Sequence, residues 1–94
     1  MTKLIISPTA RQDLSDIFDF IARDKPIAAA NWVAKIEEKC KLIATVPDFG
    51  ESRPEYGEGI RSSALGRYVI FYRAIAGGIE VARVIAGDRD IRSL

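Results

Sequence analysis

Between Gly59 and Asp90 the chain sets five arginines, Arg61, Arg67, Arg73, Arg83 and Arg89, among apolar, β-branched and aromatic runs. A guanidinium is a planar fork of donors that stays protonated, so it suits a grip on carboxylates, phosphates or a partner's surface and cannot readily act as a base near neutrality. Every basic residue after Lys41 is an arginine, which directs partner docking to the C-terminal half. Acid–base candidates are scarce. There is no histidine, which removes the commonest general base near pH 7 and every imidazole-built triad. Glu55, Glu58 and Glu80 remain, but glutamates in loops and strands are usually solvated or salt-bridged. The one cysteine, Cys40, lies on an apolar helical stripe and reads as a small buried hydrophobe. One thiol and no imidazole leave no internal disulfide and no ordinary zinc site, and no metal or cofactor is expected.

The totals agree with a docking protein. A formal net charge of +1 gives little non-specific attraction to nucleic acid, so direct DNA binding is not expected. With 48% apolar and 29% charged residues, the 94-residue chain suits one globular domain spanning 1–94; a chain of this size buries only about 60–65% of its unfolded surface and cannot divide its core. No segment approaches the roughly 20 apolar residues of a membrane span, and the apolar run before Pro8 is too short for a secretory signal, so a cytoplasmic protein is expected.

The elements that must carry the arginines are punctuated clearly. Lys3 to Ile6 is a short strand candidate closed by Ser7-Pro8, an N-cap followed by proline at the first helical position. Ala10, Leu14, Ile17, Phe18 and Ile21 then recur at helical spacing, with Arg11, Asp13, Asp16 and Asp19 on other faces, and the helix ends near Arg23. Asp24-Lys25-Pro26 breaks it. A second helix follows with Ala29, Val33, Ile36, Cys40 and Ile43 as its stripe, and so short a break makes the pair an antiparallel hairpin. Val46-Pro47 ends the second helix, and Pro47 to Gly59, with two prolines and three glycines, reads as a loop without strand or helix.

Breakers at Gly66-Arg67 and Ala76-Gly77-Gly78 divide the rest into three antiparallel strands. The middle run, Tyr68 to Tyr72, has no polar alternation and needs apolar cover on both faces. The third alternates imperfectly: Ile79, Val81 and Ile85 share a face with Arg83, while Ala82, Val84 and Ala86 share the other with Glu80. The fold class expected is α+β: a helical hairpin on a four-stranded, mainly antiparallel sheet that includes the N-terminal strand.

Two helices cover one face only, leaving either Val69 and Phe71 or Tyr68, Ile70 and Tyr72 on the less protected side, and an exposed apolar patch of this kind marks a binding surface. The partner-binding residues are therefore assigned as Arg61, Arg67, Tyr68, Val69, Phe71, Arg73, Arg83 and Arg89, and no residue is assigned as catalytic. On this reading Phe71→Asp or Arg83→Glu weakens partner binding without unfolding the domain. Arg61, Arg73 and Arg83 can equally pair across strands with Glu80 or loop carboxylates, for about 0.2–1 kcal/mol each. Trp32 lies off the stripe of the second helix, and its role as hairpin cap or partner contact stays open.

The ordered pattern Pro8-x-Ala10-x-x-Asp13-Leu14-x-x-Ile17, Ile21-Ala22-x-Asp24-x-Pro26 and Ala28-Ala29 resembles the first half of the ParE-type toxins of bacterial toxin–antitoxin pairs. The second half is closer still: Pro47-x-x-Gly50, Arg53-Pro54-Glu55, Gly59-Ile60-Arg61, Tyr68-x-Ile70-Phe71-Tyr72-Arg73 and Gly78-Ile79-Glu80-x-x-Arg83-Val84-x-x-Gly87-x-Arg89-Asp90. The resemblance implies the ParE/RelE fold and a cognate antitoxin, typically a DNA-binding dimer whose C-terminal segment wraps the toxin's sheet. It also implies DNA gyrase as the target. RelE-like relatives instead cleave messenger RNA on the ribosome with lysine, arginine, glutamate, histidine or a C-terminal tyrosine. Here the second half has no lysine or histidine, the chain ends Ile91-Arg92-Ser93-Leu94, and Ala86 stands where ParE relatives often carry histidine. Gyrase inhibition by binding is thus favoured over ribonuclease activity, and a decayed toxin that only binds its antitoxin is the third reading.

Overall fold

The computed structural model describes residues 2–87. Strand β1 (Lys3–Ile6) leads into helix α1 (Pro8–Ala22), then α2 (Pro26–Thr45), and after an irregular stretch come β2 (Glu51–Ser52), β3 (Ile60–Leu65), β4 (Tyr68–Ile75) and β5 (Gly78–Ala86). The α+β class is as expected. The sheet is five-stranded, in the order β1-β5-β4-β3-β2, with β1 parallel to β5 and all other pairs antiparallel.

The fifth strand corrects the sequence reading. The Pro47 to Gly59 stretch forms two 3₁₀ turns, Pro47–Phe49 and Pro54–Tyr56, around the two-residue β2, whose Glu51 and Ser52 pair with Ser62 and Arg61. So short a strand has no periodicity to read. Its ladder is extended when Arg53 N–H donates to Ile60 O at 2.8 Å.

Ser7 caps α1 as its sequence promises, accepting from Ala10 N–H at 3.0 Å on its hydroxyl, with Pro8 next. α1 buries Ala10, Leu14 and Ile17; α2 buries Ala29, Ile36, Cys40, Ile43 and Ala44. They close over Tyr68, Ile70, Tyr72, Ile79, Val81 and Val84 to make the main core. Cys40 lies inside it, where burial, and secondarily Glu37, pushes its thiol up to about 11. Trp32 is half-buried: its ring stands edge-on to Tyr68 at 6.0 Å beneath the β3–β4 turn, so it packs under that hairpin. The turn is two residues long with Gly66 first at φ +59°, where an L side chain is strained.

The imperfect alternation of β5 has a physical cause. A bulge sets Phe71 opposite Arg83 but Tyr72 opposite Val81, leaving Ala82 as the extra residue. Val84 therefore joins Ile79 and Val81 in the main core, and Ile85 moves to the cluster beneath the sheet. The sequence grouping of Ile79 and Val81 with Ile85 is corrected accordingly.

One side chain and one glycine lock the frame. Tyr72, fully buried, accepts from Gly50 N–H at 2.7 Å and donates to Pro47 O at 2.8 Å, pinning the start of the irregular stretch to the centre of the sheet. Burial raises its pKa above the ordinary 10.0, with the Gly50 amide pulling partly the other way. Gly78 lies opposite Lys3, and a Cβ there would come within 2.6 Å of the Lys3 carbonyl carbon.

Tyr72→Phe is expected to cost about 1–3 kcal/mol at pH 7, since it orphans a buried amide and a carbonyl. A raised folded-state pKa means that the neutral phenol's contribution is complete below about pH 10 and is lost as pH rises through the folded value. The variant's Tm should thus fall less steeply than wild type above pH 10, as read by circular dichroism melts. Gly78→Ala should lower Tm by more than 4 °C, because β1 must separate from β5 to admit the methyl, at about 1–3 kcal/mol.

Candidate functional site

The face of the sheet away from the helices carries Val69, Phe71, Ile60 and Ile85. It is covered. Tyr56, from the second 3₁₀ turn, stands edge-on to Phe71 with ring centroids 5.2 Å apart, and Phe71 is only 3% exposed. The surface expected to be open around Phe71 is a second, smaller core, because the stretch read as a plain connection folds back over it. Tyr68 is buried on the opposite, helical face at 6% exposure, while Val69 stays half-buried at the rim.

The arginines divide by what already holds them. Arg61 donates to Gly50 O at 2.8 Å and lies 3.7 Å from the Asp48 carboxylate, tying the sheet to the irregular stretch. Arg73 faces Glu80 across β4 and β5 at 3.9 Å, the cross-strand pair the sequence allowed. Arg53, not among the assigned residues, binds Ser62 Oγ at 2.9 Å and Glu51 at 3.0 Å. The Arg67 guanidinium lies 5.9 Å from the Tyr68 ring. Arg89 falls outside the described residues.

Arg83 is the exception to the cross-strand expectation. Its Nε and Nη2 donate to the two oxygens of Asp13 on α1 at 2.8 and 3.0 Å, and Val84 N–H donates to the same carboxylate at 2.9 Å. That hydrogen bonding raises the Arg83 pKa above its already high ordinary value. Asp13 is 8% exposed and belongs to the buried face of α1, not to a face apart from the apolar stripe as the spacing suggests. The signal was present: Ala10, Asp13, Leu14 and Ile17 follow the i, i+3, i+4, i+7 stripe, and an acid on a stripe needs a buried partner. Arg83 is therefore a structural residue in this fold.

A cleft of about 290 Å³ opens beside this pair, between Asp16, Ile17 and Phe20 of α1 and Arg67, Tyr68 and Ala86 of the sheet. Asp13 is fully engaged there and no thiol or imidazole reaches it. Among the described residues no buried side-chain polar atom lacks a hydrogen-bond partner, and no group of three His, Cys, Asp or Glu could hold a metal ion. Among the described residues this cleft offers charge from Asp16 and Arg67 and apolar area from Ile17 and Phe20.

The frame is thus a helical hairpin on one face of a small mixed sheet, with Arg61, Arg73 and Arg83 drawn into internal pairs. The family model describing the ParE toxin of type II toxin–antitoxin systems, parDE, matches residues 4–91, and the chain belongs to that family. It is 27% identical over 89 residues to Toxin ParE1 of Caulobacter vibrioides, covering 94% of this chain and 92% of that protein. Its fold matches a solved chain of the chromosomal ParDE TA system from P. aeruginosa with a TM-score of 0.78 and 26% identity, covering 92% and 96% of the two chains.

Burial reverses the expected effect of two substitutions. Phe71→Asp should lose at least 3 kcal/mol by placing a carboxylate in the covered cluster, and Arg83→Glu should lose about 1–3 kcal/mol by setting a second acid against Asp13. Arg73→Glu, at an exposed pair, should change stability by less than 1 kcal/mol. Urea titrations followed by circular dichroism distinguish the three, and an unchanged midpoint for Phe71→Asp would mean that Tyr56 does not close over that face.

Proposed function

We propose that this toxin inhibits DNA gyrase by binding it, without catalysis of its own, and that a cognate antitoxin neutralises it by covering its surface. The observation that carries this reading is the match to the ParE toxin family across residues 4–91. The chemistry of the chain supports the non-catalytic part. It has no histidine, its thiol is pushed up to about 11, and its most engaged carboxylate is locked against Arg83. Messenger RNA cleavage needs a base for the ribose hydroxyl and an acid for the leaving oxygen, and the engaged arginines supply only charge. The solved ParDE relative supports an antitoxin as partner.

Of the residues assigned to docking, Arg67 and Arg73 are exposed and Val69 reaches the rim, so these three remain the contacts on the sheet side. Gyrase as target places the protein in the cytoplasm. Among the described residues no helix is long and apolar enough to cross a membrane.

The test is a gyrase supercoiling reaction with purified, antitoxin-free protein, read for lost supercoiling and for cleaved DNA linked to protein. Inhibition that the antitoxin reverses is expected. No effect at large molar excess would overturn the gyrase reading; messenger RNA cleaved on added ribosomes would then assign the chain to the ribonuclease branch.

A further inference from the structure

β5 ends at the cleft beside the Asp13–Arg83 pair. Ala86 stands in the cleft wall, and the backbone is fixed one residue later, where Gly87 N–H donates to Arg67 O at 2.7 Å. The chain therefore leaves the sheet at the rim of the cleft. Opposite this exit α1 runs beside β5 in the same direction, since Ser7 meets Ala82 and Asp13 meets Val84. Ile17 and Phe20 come next along α1 and form the apolar wall, and Phe20 is 60% exposed. Asp16 supplies that wall's charge: it is exposed and accepts from the Gln12 side-chain amide at 2.9 Å, a neutral donor that leaves the carboxylate's charge in place.

We infer that the chain's own next residues, 88–91, turn back after Gly87 and fill this cleft, with Ile91 against Ile17 and Phe20 and Arg89 against Asp16. The sequence there is Asp88-Arg89-Asp90-Ile91, beyond the described residues, and the family match runs to residue 91. Gly87-Asp88 is a pair that favours a turn, because glycine bends freely and an aspartate side chain caps its own backbone. Four residues span up to about 14 Å, enough to cross a cleft of about 290 Å³. Chemistry selects this occupant. Arg89 neutralises the exposed Asp16, Ile91 removes the Phe20 ring from water, and Asp88 and Asp90 stay on the side of Arg67. The cleft is at the lower limit of the roughly 300–1,000 Å³ of small-molecule sites, and it suits a side chain or two from a segment already tethered at its rim. The inference holds for the toxin alone and is independent of the gyrase and antitoxin readings.

The test is a nuclear Overhauser spectrum of the full chain with its isoleucine methyl groups labelled, each variant first shown by circular dichroism to keep the wild-type fold. Cross-peaks from the Ile91 methyls to the Phe20 ring are expected, unchanged on tenfold dilution, together with an upfield methyl shift that Phe20→Leu removes. Arg89→Asp should weaken those cross-peaks at least twofold, and Asp16→Arg combined with Arg89→Asp should restore them. Ile91 methyls at random-coil shifts with no contact to α1 would overturn the inference, as would contacts to Phe71 or Tyr56 on the far face of the sheet. Cross-peaks lost on dilution would place the segment on a second copy of the chain and overturn it as well. A double variant as weak as Arg89→Asp alone would show that Arg89 does not face Asp16, and the placement would fail.

Discussion

The fold depends on how the outer edge of β5 is closed. β1 is only four residues long and pairs with β5 from Gly78 to Val81, which leaves the outer edge of the second half of a nine-residue strand without a neighbouring strand. Unpaired edge groups under a helix would be costly. The chain closes them with side chains from the start of α1. Ser7 N–H donates to Val81 O, its hydroxyl donates to Ala82 O, and Asp13 accepts from Val84 N–H while Arg83 neutralises the carboxylate. Ser7 thus caps the helix and continues the ladder, and Asp13, two turns on, finishes it. Shifting the helix by one residue would break both.

That closure explains what was legible and what was not. Helix limits were written in local signals, Ser7-Pro8, Lys25-Pro26 and Val46-Pro47, because capping and proline geometry act within a few residues. The hairpins were equally local, set by Gly66 and by Ala76-Gly77. The role of Asp13 was not local: its partner lies 70 residues away, and charge on an amphipathic helix is ordinarily solvated. Only its place on the Ala10–Leu14–Ile17 stripe hinted at burial.

The bulge at Ala82 and the loop cover show a related limit. A period of two assumes an uninterrupted strand, so one extra residue reverses the face of everything after it and moves Ile85 from one core to the other. The imperfect alternation was visible, but a bulge needs the partner strand to locate it. Likewise the apolar character of β4 correctly demanded cover on both faces, while Tyr56 as the source of that cover could not be read from a proline- and glycine-rich stretch. Tyr72, from the helix-side core, bonds Pro47 and Gly50 and, with Arg61, anchors the start of that stretch.

These constraints also shape how so small a protein can act. Closing the far face with Tyr56 and the near face with the helices leaves little apolar sheet for a partner, and Arg61, Arg73 and Arg83 are drawn into internal pairs that set the loop, the strand pair and the strand edge. Arginine-rich composition therefore reflects closure of the fold as much as recognition. On the helical layer apolar side chains such as Ile27 and Leu42 also remain exposed. These are side chains that the core does not need, so they can vary while the frame beneath them stays fixed.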